Sequence, residues 1–200
     1  MDLQKCIENI NWFCSIASDT NTSPEMLSNI VRSIKEIKEC YTQLSIYLLL
    51  AINKSSPPIV LKEIVEEIAN GGSEVDANIL GWIAQHKNVT SEILTMIAKS
   101  RIKYFDVFAT VAQNPKTPPE TLQLLADRAK VGDEADGLLL SLLSGTARDA
   151  TFYDLVYKKV NIRKNVAKNP NTPIEVLKYL LQDEDSDVRE STEETLQNLS

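Results

Sequence analysis

Few residues in this chain could do acid–base chemistry. His86 is the single histidine, and no His-Glu-x-x-His, Gly-x-Ser-x-Gly or glycine-rich phosphate motif accompanies it. It stands two residues after Ala84, at a position that other copies of a repeat fill with Asp or Asn. Short polar side chains there hydrogen-bond turn backbone. We therefore interpret His86 as a turn residue, and we predict no enzyme, no catalytic residue and no cofactor.

Four acids stand at the spacing of a calcium-binding loop. Positions 1, 3, 5 and 12 of that template are filled by Asp183, Asp185, Asp187 and Glu194. The template also needs Gly at position 6 and an apolar residue at position 8, where this chain has Val188 and Glu190. Acids at a helix N-terminus explain the same residues, so we predict a solvated turn and helix start, and no metal site.

Two basic clusters could bind a partner. The first has no acid between Leu155 and Ile174 and could hold phosphate or an acidic protein segment; its candidate residues are Tyr157, Lys158, Lys159, Arg163 and Lys164. The second joins cations to an aromatic side chain, a common interface anchor, and consists of Arg101, Lys103 and Tyr104. The alternatives are a solvated helix face for the charges and core packing for the aromatics.

Composition narrows the class of protein. A net charge of −7 opposes the basic domain typical of nucleic-acid binders, and no apolar run has the length of a membrane-spanning helix. The segment Met1–Lys5 does not resemble a signal peptide. Three cysteines without a Cys-x-x-Cys pair favour reduced thiols; they are Cys6, Cys14 and Cys40. We expect a cytoplasmic protein that does not bind membranes.

A helix–turn–helix repeat organises the chain. Five copies align on an alanine: Ala17, Ala51, Ala84, Ala112 and Ala167. Two residues after it lies a polar position, here called the turn slot, filled by Asp19, Asn53, His86, Asn114 and Asn169. Ten residues after it lies the anchor slot, filled by Leu27, Leu61, Leu94, Leu122 and Leu177. Apolar residues three and four apart around both positions predict two helices joined by a five-residue turn; Trp12 and Trp82 are assigned to the apolar stripes.

The starts of the second helices are predicted from capping signals. Capping boxes with proline in the first turn are read at Thr22–Glu25, Thr117–Glu120 and Thr172–Glu175. In the third copy Val89 occupies the threonine position, so Ser91 is predicted to cap instead.

The strongest copies carry a family resemblance. Residues 112–122 and 167–177 read Ala-x-Asn-Pro-x-Thr-Pro-x-Glu-x-Leu, which resembles the leucine-rich repeat variant family. Ile162-Arg163 and the acidic turn at Asp185–Arg189 are similar to that family's Val-Arg step. The resemblance implies short helices stacked in a right-handed superhelix, and a likeness to HEAT and armadillo arrays fits equally well. Some family members carry an iron–sulfur cluster, which needs about four thiolates, so we expect none here.

These observations predict an all-α fold, a right-handed α-solenoid of about six irregular helix–turn–helix repeats forming one domain over residues 1–200. The alanines are 34, 33, 28 and 55 residues apart. The long gap predicts a degenerate copy, with Thr146 in the alanine position, a box at Thr151–Asp154 and Val156 as anchor. Around it we predict helices at Asp133–Leu143, Phe152–Lys159 and Ile162–Lys168.

The predicted function is a non-enzymatic helical-repeat protein that binds another protein, because stacked repeats leave a long shaped face. One alternative is an acidic inhibitor or immunity-type protein that neutralises a basic enzyme. Another is a HEAT-like nucleic-acid-binding protein, which the acidic charge disfavours. The identity of the partner, the face it contacts and the oligomeric state stay open.

Overall fold

The computed structural model describes residues 3–34, 40–71, 73–130 and 150–199, and every regular element within those ranges is a helix. The predicted all-α class is confirmed. The helices are α1 (Leu3–Ser18), α2 (Pro24–Ile34), α3 (Cys40–Ile52), α4 (Pro58–Ile68), α5 (Glu74–Gln85), α6 (Ser91–Lys99), α7 (Phe105–Gln113), α8 (Pro119–Arg128), α9 (Ala150–Lys168), α10 (Ile174–Leu180) and α11 (Ser186–Asn198).

The chain folds as two compact units, Met1–Val107 and Phe108–Ser200. In the first unit α3 packs between α1 and α5, while α4 packs between α2 and α6. First helices thus stack on first helices and second helices on second helices, which is the α-solenoid arrangement predicted from the repeat. The right-handed sense and the single domain over residues 1–200 stay predictions.

The core follows the repeat register. All five leucines of the anchor slot are completely buried. The apolar residues three positions further on are buried as well; they are Ile30, Ile64, Ile97, Leu125 and Leu180. Burying one such side chain contributes roughly 1.5–3 kcal/mol to the free energy of folding. The leucine that recurs in each repeat therefore stabilises every layer of the stack.

In the second unit, α9 is a single helix of 19 residues that packs against α8, α10 and α11. The two short helices predicted over Phe152–Lys159 and Ile162–Lys168 are therefore wrong as separate elements. The physical reason lies in the junction, Val160–Asn161, which contains neither glycine nor proline to end a helix. The box predicted at Thr151–Asp154 is also wrong, because those residues lie inside α9.

The degenerate copy predicted within the 55-residue gap does not separate the neighbouring turns. The Asn169 side-chain amide donates directly to the carbonyls of Ala112 and Asn114, at 2.7 and 2.9 Å. The turns after α7 and α9 are therefore direct neighbours in the stack. The prediction that the turn of a degenerate copy stands between them is wrong. Thr146 and the helix predicted at Asp133–Leu143 lie outside the described residues.

The repeated threonines do not form the predicted capping boxes. Their hydroxyls donate backwards to the last turn of the preceding helix: Thr22 to Ile16 at 2.8 Å, Thr117 to Val111 at 2.5 Å, and Thr172 to Val166 at 2.5 Å. Pro118 and Pro173 are the N-cap residues of α8 and α10 and make no side-chain cap. Each threonine stands one residue too early to cap. It adds a second donor to a carbonyl that also accepts the backbone amide three residues on, as Val111 does from Asn114 at 3.1 Å.

Other residues do the capping. Ser23 accepts from the Met26 amide at 3.2 Å, and Thr90, not the predicted Ser91, caps α6 by accepting from Ile93 at 3.3 Å. A reciprocal capping box is present at Ser73 and Asp76 of α5. Its Ser-x-x-Asp spacing was the signal that the sequence analysis missed.

Thr117→Val should destabilise the protein by about 1 kcal/mol, because the buried Val111 carbonyl loses the hydroxyl donor and keeps only the Asn114 backbone amide. Valine fits sterically, since Val89 is buried at the equivalent position. Urea unfolding measures the change. The matched variant Glu120→Ala should alter stability little; a larger effect for Glu120→Ala than for Thr117→Val would restore the capping box.

Tyr47 gives the fold an alkaline limit. Its ring is buried in α3, and burial, reinforced by the nearby Glu67 carboxylate, raises the pKa of the phenol from 10.0 to about 12. The unfolded chain therefore releases this proton first as pH rises, so the Tyr47 contribution to stability is complete below about pH 10 and is lost towards pH 12. Tyr47→Phe should flatten that alkaline loss in urea melts. An unchanged slope would contradict the assignment.

Candidate protein-binding surface

The turn slot builds a hydrogen-bonded ladder between successive repeats. In the first unit the Asn53 amide donates to the carbonyls of Ala17 and Asp19, at 2.8 and 3.0 Å. The side-chain Oδ1 of Asn53 accepts from the Ser55 backbone amide at 2.8 Å. One side chain thus shapes its own turn and ties it to the preceding turn, which confirms the predicted role of the slot and extends it across the repeat boundary.

His86 continues this ladder. Its Nδ1 accepts from the Asn88 amide at 3.0 Å, while Nε2 lies 2.9 Å from the Asn53 carbonyl oxygen. A nitrogen that accepts an N–H carries no proton, so this pattern assigns the neutral tautomer protonated on Nε2. Both ring nitrogens serve the turn, and the prediction of a turn residue is confirmed.

The second unit repeats the device. Besides the bonds from Asn169, the Asn171 side chain donates to the carbonyls of Pro115 and Thr117, at 2.7 and 3.1 Å. Residues that follow the turn slot are thereby held at a regular interval along the stack. The ladder therefore decides which exposed side chains of neighbouring turns lie side by side.

A cleft of about 330 Å³ opens beside the ladder of the first unit. We call it the Trp82 cleft; its lining is Ala51, Ile52, Lys54, Trp82, Gln85, His86 and Lys87. Trp82 on α5 is 52% exposed, and Ile52 at the end of α3 is exposed as well. They can flank one opening because α3 packs on α5. Their exposure makes an apolar opening above a buried floor at Ala51 and His86.

The charge of the Trp82 cleft differs from that of the chain. Lys54 and Lys87 each follow the turn slot by one residue, on successive turns, and both are exposed. Among the described residues no Asp or Glu lines the cleft, although the chain carries a net charge of −7. An aromatic and an aliphatic side chain flanked by two cations suit the binding of a partner, and the imidazole of the lining serves the ladder.

The predicted basic cluster of the second unit serves mainly the fold. Arg163 is 2% exposed and forms a bidentate pair with Asp183, at 2.7 and 3.0 Å. Its remaining terminal nitrogen donates to the Ala129 carbonyl at 2.7 Å. Lys159 is also buried and donates to the Lys130 carbonyl at 3.1 Å. The Arg163 and Lys159 side chains thus connect α9 to the end of α8 and to the turn after α10 by hydrogen bonds.

The rest of that cluster lies nearer the surface. Lys158 pairs with Asp154 at 2.9 Å. Lys164 pairs with Asp187 at 2.8 Å, which raises the pKa of the lysine and lowers the pKa of the carboxyl. Tyr157 is exposed. Of the five predicted residues, Tyr157 is therefore the one with the largest free surface.

The second predicted cluster lies in the first unit. Arg101 and Lys103 are exposed and Tyr104 is half-buried. The Arg101 backbone amide donates to the Ala69 carbonyl at 3.2 Å, which anchors this connection to the end of α4. The eight predicted residues are thus divided between the two units, and whether they bind a partner stays a prediction.

Sequence reasoning missed the Trp82 cleft because it assigned Trp82 to the buried stripe of α5. The buried stripe contains Ile79 and Ile83, while the outward face carries Val75 and Trp82, seven residues apart. Seven residues make two helical turns, so this spacing was the available signal.

The calcium-like acids have separate structural roles. Asp183 pairs with Arg163, and Asp187 with Lys164. Asp185 is the N-cap of α11, accepting from the amides of Asp187 and Val188 at 3.0 and 3.2 Å. The interpretation as a turn and helix start is confirmed. Within the described ranges, no group of three or more His, Cys, Asp or Glu side chains could hold a metal ion.

Stacked helix pairs joined by a turn ladder define an α-solenoid repeat protein. None of the described helices is long and apolar enough to cross a bilayer. No family model matches the chain, so membership of the leucine-rich repeat variant family stays a prediction, and no curated protein matches it either.

Solved structures similar to the chain include two engineered proteins. The designed armadillo repeat protein YIII(Dq)4CqI aligns with a TM-score of 0.46 and 13% identity, covering 100% of this chain and 95% of its own. An engineered protein from the Northeast Structural Genomics Consortium aligns with a TM-score of 0.44 and 18% identity, covering 94% of this chain and 52% of its own. The solenoid assignment itself rests on the helix packing and the turn ladder.

Proposed function

We propose that this chain is a non-catalytic helical-repeat protein of the cytoplasm, related to the leucine-rich repeat variant family, that binds another protein through the Trp82 cleft. The observation that carries the proposal is the half-exposed Trp82 beside exposed Ile52, with Lys54 and Lys87 at the same opening. Tryptophan at the centre of an apolar patch is a common source of binding energy. Covering it removes apolar surface from water and leaves the lysines at a polar rim.

Two observations weigh against the alternatives. A nucleic-acid binder would need the basic cluster of the second unit, yet Lys159 and Arg163 are buried and donate within the chain. An acidic inhibitor of a basic enzyme is compatible with the net charge of −7, but the Trp82 cleft presents lysines. The cleft therefore favours a partner that is acidic where it touches this chain.

Affinity capture from native lysate tests the proposal, with the full chain and two matched variants as baits. Trp82→Ala and Trp12→Ala remove the same side chain at nearly the same exposure, 52% and 50%. Circular dichroism melts first establish that both variants are folded. Trp82→Ala should reduce retention of a specific protein partner about tenfold or more, whereas Trp12→Ala should not.

Equal retention of the partner by both variants would exclude the Trp82 cleft as the binding site. Capture dominated by nucleic acid and lost as salt rises would overturn the protein-binding function, because counterion release makes phosphate contacts strongly salt-dependent. Capture of a basic enzyme that survives Trp82→Ala would favour the inhibitor alternative.

A further inference from the structure

Resting on the proposed function, we propose that the Trp82 cleft takes a linear, acidic segment of a partner protein that carries one bulky apolar side chain. The partner is defined by two features of the cleft. One is an opening with apolar walls, and the other is a pair of lysines on successive turns of the solenoid.

The apolar walls limit what can enter. Trp82 and Ile52 stand on neighbouring helices, and the space between them and the buried floor is about 330 Å³. That volume lies at the small end of ligand pockets, which run from about 300 to 1,000 Å³. It suits a single large side chain with its adjoining backbone, rather than a whole folded surface.

The lysines set the charge and the spacing. Lys54 and Lys87 occupy equivalent positions one repeat apart. Their turns are tied by the His86 contact to the Asn53 carbonyl and by the Asn88 side-chain Nδ2, which donates to the Ser56 carbonyl at 2.8 Å. Neighbouring helices pack about 8–10 Å apart, and an extended chain advances about 3.3 Å per residue. Two carboxylates about three residues apart, with the apolar residue between them, therefore match this pair.

Charge complementarity favours this occupant over a neutral one. In a chain of net charge −7, two lysines with no Asp or Glu among the described lining residues form a local positive patch. Complementary charge directs a ligand to one place and excludes wrong ones. Because a lysine is a flexible point charge, either aspartate or glutamate satisfies it.

The test is selection of random peptides of about twelve residues, long enough to cross both turns when extended, displayed on phage against the immobilised full chain. Phage that also bind the folded Trp82→Ala chain are discarded. The expected result is enrichment of peptides in which a Leu, Phe or Trp lies between acidic residues. Enrichment of basic or uncharged peptides, or of none that depend on Trp82, would overturn the proposal.

The enriched peptide is then titrated in solution. Trp12→Phe leaves Trp82 as the single tryptophan, since the chain has two, so fluorescence reports on the cleft directly. Lys54→Glu and Lys87→Glu should each weaken binding about tenfold. Lys99→Glu changes the net charge equally at an exposed site of the first unit outside the cleft and should have little effect. Equal weakening by all three would assign the effect to net charge and overturn the proposal.

Failure here is distinguishable from failure of the proposed function. Lysate capture that depends on Trp82, together with no selectable peptide, would keep protein binding and reject a linear segment. Sedimentation of the wild-type chain and Trp82→Ala tests the remaining occupant. A dimer lost on Trp82→Ala would assign the cleft to a second copy of the chain and overturn the acidic segment.

Discussion

Arg163→Met is expected to destabilise the protein by about 3–5 kcal/mol, the range for breaking one side of a buried ion pair. The guanidinium is 2% exposed and donates to both carboxylate oxygens of Asp183 and to the Ala129 carbonyl. Removing it leaves the buried Asp183 carboxylate without its cation, with the Asp185 backbone amide as a remaining donor. The Ala129 carbonyl loses the guanidinium donor, while methionine keeps much of the apolar volume. Urea unfolding followed by helical circular dichroism measures the loss.

A matched control lies one residue along the same helix. Lys164 pairs with Asp187 at 2.8 Å, but Asp187 is exposed and Lys164 is partly exposed, so Lys164→Met should change the unfolding transition little. The double variant Arg163→Met with Asp183→Leu should recover part of the loss, since it also removes the unpaired carboxylate. Equal, small effects of Arg163→Met and Lys164→Met would contradict the structural role of Arg163 and return it to the candidate binding residues.

Leu122→Ala is expected to cost about 2–5 kcal/mol, because it removes buried apolar surface and leaves a cavity. Leu122 is completely buried in the anchor slot, where a leucine recurs in every copy. The chemically identical change Leu199→Ala, at a side chain 60% exposed in the same unit, should alter stability little. Urea midpoints for the two variants give the comparison. A transition unchanged by Leu122→Ala would show that the repeat register is wrong.

Much of the local structure was predictable because it depends on residues close together in sequence. Leucine at the anchor slot and an apolar residue three positions later place both side chains on one helix face, and both are buried as predicted. Proline and glycine mark places where a helix starts or ends, so they limited the errors in the predicted helix boundaries. The polar turn slot was also readable, since Asn and Asp shape turns through their own backbone.

The binding surface was less predictable, because exposure depends on which helices become neighbours. Trp82 belongs to a helix with apolar residues on two sides. Periodicity alone does not show which of these sides will be covered by α3 and by the second helices of the repeats. Lys159 and Arg163 read as a charged patch, yet folding places them against the end of α8 and against Asp183, a residue 20 positions away in the sequence. A charge run reports where cations occur, whereas their partners come from distant turns.

Whether a feature could be predicted depends on the sequence range of the interactions that form it. The helical periodicity, the buried leucines and the polar turn slot can be read from the amino-acid sequence, because each arises within about two helical turns. Tertiary packing set the adjacency of the Asn114 and Asn169 turns, the burial of Arg163 and the exposure of Trp82. Each of those depends on which carbonyl, carboxylate or helix is packed beside the residue, and packing is set by long-range contacts that no local pattern encodes.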